Sequence, residues 1–77
     1  MKITIESTSK MVELSFNGSI IPARVWEGHT EAGIPIHCFI TRVAVAAGAD
    51  QTQFERELKE QRTPSFEVAS IPFRMIL

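Results

Sequence analysis

Asn17-Gly18 lies between two runs in which apolar and polar residues alternate, and this dipeptide constrains the chain more than any other feature. A type I′ turn needs positive φ at both central positions, which asparagine and glycine tolerate best, so the chain reverses there as a two-residue β-hairpin. The register follows: Phe16 faces Ser19, Leu14 faces Ile21, Val12 faces Ala23 and Met11 faces Arg24. A second reversal at Glu31-Ala32-Gly33 fits a three-residue loop closed by a left-handed glycine bulge. It sets Thr30 against Ile34, Glu27 against His37, Trp26 against Cys38 and Arg24 against Ile40. Expected strands cover 2–6, 11–16, 19–28 and 34–46, with Ser7-Thr8-Ser9 as a bend or bulge between the first two. The position of the 2–6 strand in the sheet stays open at this point.

Side chains alternate across a strand, so these registers sort the residues into two apolar faces. One holds Val12, Leu14, Phe16, Ile21, Ala23, Val25, Phe39, Val43 and Val45, the expected core. The other holds Met11, Glu13, Ile20, Pro22, Arg24, Trp26, Ile34, Ile36, Cys38, Ile40 and Arg42. A helix over about 51–61 should cover the first face: Asp50 is a good N-cap, Gln53 suits a capping box, and Thr63-Pro64 stops it. Its apolar stripe is only Phe54 and Leu58. The segment 64–77 carries Phe66, Val68, Ile71, Phe73, Met75, Ile76 and Leu77, too apolar to hang free. It is expected to extend and either fold back as a strand on its own sheet or pair with a neighbouring subunit's edge. The fold class is α+β: a three- to four-stranded antiparallel meander sheet with one short helix on one face and a C-terminal extended segment, in a single small domain.

A chain of 77 residues buries only roughly 60% of its unfolded surface and needs help to be stable. Cys38 is the sole cysteine, which removes an intrachain disulfide, and two histidines with one thiol are poor material for a structural zinc site. Homo-oligomerisation through the second face, and through the tail, is therefore expected. A net charge of −1 argues against DNA or RNA as partner, because that grip needs many uncompensated cations. No run approaches the roughly 20 apolar residues of a membrane span, and Met1-Lys2 leads into alternation rather than into a signal peptide. The expected location is cytoplasmic.

Three residues on the second face draw the functional question. Trp26 between Arg24 and Arg42 can stack on a nucleobase while the guanidinium forks hold phosphate, with the loop His29-Thr30-Glu31 as rim. The plainer alternative is a subunit interface, where Trp and Arg are enriched, its arginines paired with Glu13 or another carboxylate. Glu27, His29 and His37 gather acid-base groups on facing strands, but without a metal-ligand spacing; a cross-strand salt link at the sheet rim is the preferred reading. Cys38 reads as a small residue of an apolar strand, and Thr63-Pro64-Ser65 as the turn that ends the helix. No catalytic residue, metal or cofactor is assigned, and the expectation is a non-enzyme.

The run Ile21-Pro22-Ala23-Arg24-Val25-Trp26-Glu27-Gly28, followed by Thr30, Gly33 and His37-Cys38-Phe39-Ile40-Thr41-Arg42, and the ending Ile71-Pro72-Phe73-Arg74-Met75-Ile76-Leu77, resembles small uncharacterised proteins encoded by tailed phages and prophages. The resemblance covers nearly the whole chain. It implies a phage accessory protein acting in a bacterial host cytoplasm, where it binds and blocks a host component such as a defence system; joined to Trp26, Arg24 and Arg42, the expected function is an inhibitor that sequesters a small nucleotide signal or blocks a host protein. The alternative it leaves is a small structural or assembly subunit of a phage particle.

Overall fold

The computed structural model describes residues 1–76; Leu77, counted above with the apolar tail, lies outside the described residues. Three long strands form the meander: β1 (Ile3–Phe16), β2 (Ser19–Thr30) and β3 (Pro35–Ile40). The Asn17-Gly18 turn has φ of 50° and 81°, as type I′ demands, and each β1–β2 partner expected from it is observed. Gly33 takes φ of 87° and its N–H donates to the Thr30 carbonyl, so the second turn also sets the expected β2–β3 register.

The 2–6 and 11–16 strands prove to be one strand. Its pairing shifts between Ser7 and Met11, which face Trp26 and Arg24 respectively, so Thr8, Ser9 and Lys10 all sit opposite Val25. Thr8 is fully buried in this bulge; its hydroxyl donates to the Val25 carbonyl at 2.6 Å and accepts from the Lys10 N–H at 3.2 Å. Beyond the bulge Gly28 is obligatory, since a Cβ there would lie 1.8 Å from the Thr4 carbonyl oxygen.

β3 stops at Ile40 instead of continuing to residue 46. The next hydrogen-bonded pair would set Arg42 against Pro22, which has no N–H to offer a neighbouring strand. Pro22 is tolerated within β2 because its nitrogen points to the side where β3 is already absent.

α1 (Gln51–Leu58) starts where expected, with Asp50 Oδ1 accepting from the Gln53 N–H at 3.0 Å. The Gln53 side chain accepts from Arg56 Nη1 at 3.3 Å instead of closing a capping box. The helix ends before Gln61 because the chain must then extend along β1: the Arg62 N–H donates to Ser7 and the Ser9 N–H to Arg62, both at 3.1 Å. Thr63-Pro64-Ser65 does more than end that helix, for Ser65 caps a second one, α2 (Phe66–Ala69), accepting from the Val68 N–H at 3.3 Å. β4 (Arg74–Ile76) then joins the free edge of β1 in parallel, anchored by a Glu13 N–H to Phe73 carbonyl bond of 2.6 Å. The tail thus folds onto its own chain, and the sheet, ordered β3-β2-β1-β4, is mixed rather than purely antiparallel.

The covering roles are exchanged relative to the sequence expectation. The core comprises Val12, Leu14, Ala23 and Val25 from the sheet with Val68 of α2, and Ile71 and Met75 pack against it. α1 buries no residue and lies instead beside the Trp26 face. Phe16, Ile21, Phe39 and Val43, expected in the core, are exposed, because the four-residue α2 reaches only the middle of the sheet. The radius of gyration, 13.8 Å, exceeds the roughly 11.5 Å of a compact chain this long, as an incompletely covered sheet requires. Among the described residues no helix is long and apolar enough to cross a membrane.

Candidate functional site

Alternation along β2 puts Arg24 and Trp26 on the same side, and the bulge decides what Arg24 does there. By shifting β1, it turns the Thr8 carbonyl toward Arg24, whose Nη1 donates to it at 2.9 Å. One edge of the guanidinium is thereby fixed, with its remaining donors left for other partners. Arg42 follows the end of β3 and is exposed. Both arginines line an open groove of about 320 Å³ with Trp26, whose floor and walls are Met11, Pro22 and Ile40 from the sheet, Val43, and Leu58 and Gln61 from α1 and the turn after it. Among the described residues neither arginine has a carboxylate partner. Glu13, the anticipated one, instead accepts from Arg74 Nε at 3.1 Å.

Trp26 is half-buried and also borders a second cleft of about 520 Å³, lined by Ile5, Glu6, Ser7, Glu57, Glu60, Gln61 and Arg62. The indole therefore separates a cationic groove from a predominantly acidic one. An anion entering from the acidic side is repelled, whereas one entering the Arg24–Arg42 side meets uncompensated positive charge.

His29, Thr30 and Glu31 do not rim this groove. They lie at the far end of β2, Thr30 being about 13 Å along the strand from Trp26. Their polar groups close the hairpin: Thr30 Oγ1 accepts from the Ile34 N–H at 3.1 Å, and the Glu31 N–H donates to Lys2 at 3.1 Å.

Glu27, on the opposite face, is a buried structural carboxylate. Its Oε2 accepts from the Ser65 N–H at 2.8 Å and lies 3.5 Å from Arg62 Nη2. Burial is the largest single influence and pushes its pKa up. The Ser65 N–H and hydroxyl, then the positive charges of Arg62 and His37, together outweigh that and hold the carboxyl below its usual value. The expected cross-strand neighbour His37 is present, yet the salt link runs to Arg62. No cluster of three metal-ligating side chains occurs among the described residues. Cys38 is half-buried in β3.

Sequence pattern did not reveal Thr8, Leu58 or Gln61 as parts of this site. The break in alternation at Ser7-Thr8-Ser9 is the signal for the first; the other two depend on where α1 lands, which no local pattern encodes. Comparison with protein-family models, with curated proteins and with solved structures finds no match.

Proposed function

We propose that this chain is a non-enzymatic binding protein whose groove takes a planar anionic ligand of nucleotide size. The observation that carries this reading is Trp26 beside two guanidinium groups that lack carboxylate partners among the described residues. Stacking on an indole suits any base, and the fork geometry of arginine suits phosphate. A volume of about 320 Å³ falls at the lower end of small-molecule sites. The resemblance to phage-encoded proteins supplies the setting: a phage accessory protein in the host cytoplasm that inhibits a host defence component by stoichiometric occupation, removing a nucleotide signal or blocking a host protein.

Trp26 is the sole tryptophan, so its fluorescence reports the groove directly. Titration with a panel of nucleotides should quench it saturably, and Arg24→Ala and Arg42→Ala should each weaken binding about tenfold, corresponding to the loss of one charge-assisted contact. Saturable binding, followed by titration calorimetry because Trp26→Ala removes the fluorophore, that Trp26→Ala and Arg24→Ala leave unchanged would show that this is the wrong surface. Absence of any nucleotide response would transfer the groove to a host-protein segment. A second reading, a small structural or assembly subunit of a phage particle, is favoured by the exposure of Phe16, Ile20 and Ile76, the last 90% exposed. Open-ended assembly at micromolar concentration would support it.

A further inference from the structure

The free edge of β3 has a hydrogen-bonding pattern that matches itself. Bonds along an antiparallel ladder alternate in direction. The Thr30 N–H donates to the Ile34 carbonyl, so the main-chain groups of Ile34, Ile36, Cys38 and Ile40 point toward β2. Those of Pro35, His37 and Phe39 then point outward, and among the described residues His37 and Phe39 have no backbone partner on that side. Pro35 sits where its missing N–H removes nothing from the ladder, as proline in an edge strand must. The strand carries no lysine, glutamate or aspartate to discourage pairing. The opposite edge, β4, is three residues long and begins with Arg74.

We propose that β3 pairs with β3 of a second copy, antiparallel about a two-fold axis at Cys38, to make one continuous eight-stranded sheet. In this register the outward N–H and carbonyl of His37 meet those of Phe39 of the second copy, and the reverse, giving four main-chain bonds. Ile36 of one copy lies beside Ile40 of the other. Pro35 falls opposite Thr41 of the second copy, past the strand end, where its missing donor matters least. Centring the axis on His37 instead would set Pro35 against Phe39 and forfeit bonds at both ends. A dimer so built is isologous and closed. It borders the Trp26 groove of each copy at Ile40 and Thr41 and places both grooves on the same face, and the pairing itself does not depend on what those grooves bind.

The register puts the two Cys38 residues in a non-hydrogen-bonded pair with Cα atoms about 4.5 Å apart, within disulfide reach. The full chain in reducing buffer should sediment as a reversible dimer at micromolar concentration. Diamide should then convert it to a covalent dimer: two thiols lose two protons and two electrons to form the S–S bond, and diamide is reduced to its hydrazine. Phe39→Pro removes an outward N–H, and a half-exposed ring, without removing any N–H from the β2–β3 ladder, and should give a monomer that keeps the parent circular dichroism. Phe39→Lys serves the same purpose if the proline variant does not fold, and should slow diamide cross-linking at least tenfold. A parent chain that stays monomeric up to millimolar concentration would overturn the proposal. So would a dimer that survives Phe39→Lys or resists cross-linking through Cys38, since association would then use another surface.

Discussion

The two faces of this sheet are made apolar by the same alternation, yet only one is closed. On the Val25 face, Val12, Val25 and Val68 are all at most 1% exposed. On the Trp26 face, Met11 and Ile20 remain exposed and the tryptophan lines an open groove. The difference lies in the covering segments. α1 is the better helix by capping and length but brings only Phe54 and Leu58, and it buries neither. α2 has a single turn but is followed by Ile71 and Met75, and together with Val68 these fill the middle of the other face. The density of apolar side chains in a segment, not its helical quality, decides which face it seals. The chain also ties α2 down at both ends, at Arg62 beside Thr8 and at β4 beside Glu13 to Ser15, along one edge of β1.

Substituting the closed face should have the largest effect. Val68→Asp buries a charge with no partner, a cost of about 3 kcal/mol or more against a total of roughly 5 kcal/mol for a small domain. The variant should lose its cooperative thermal transition, and a melt within a few degrees of the parent would show that the faces do not differ as described. Next comes the contact that holds α2 in place. Glu27 has a lowered pKa in the fold, so its contribution is present above the unfolded carboxyl value of about 4.3 and is lost as pH falls through the folded one. Glu27→Gln should therefore be less stable than the parent at pH 7 by about 1.5 kcal/mol, with the gap in denaturant midpoints closing in acid. A gap that is constant with pH would assign the role of Glu27 to shape rather than charge. Smallest is Leu58→Ser on α1, which should change stability by less than about 0.5 kcal/mol while shifting Trp26 emission, because Leu58 lines the groove. A loss as large as that of a core residue would mean that α1 seals the second face after all.

Much of the sheet was legible because its signals are local. Asn17-Gly18 and Gly33 dictate backbone angles that few other residues accept, and a turn type carries its register with it. Asp50 likewise announces α1 within one turn. The pairing of Arg24 with Trp26 on one side followed from alternation along β2, and Arg42, past the end of β3, still lines the same groove, whereas His29, Thr30 and Glu31, close in sequence, are set apart by the length of an extended strand. The tail was harder: Ser65 as a helix cap, Val68 as a core residue and Arg74 opposite Glu13 all depend on contacts between segments some 40 to 60 residues apart.

By itself, the sequence determined where the chain turns, which residues share a face, and that both faces would be apolar, since each of these depends on dihedral preference and a period of two. Tertiary structure alone decided which segment covers which face. That choice is a competition between α1 and the tail for the same apolar surface, and its outcome depends on total area buried and on Glu27, Ser65 and Arg62 meeting in one place. Neither quantity is a property of any short stretch of the chain.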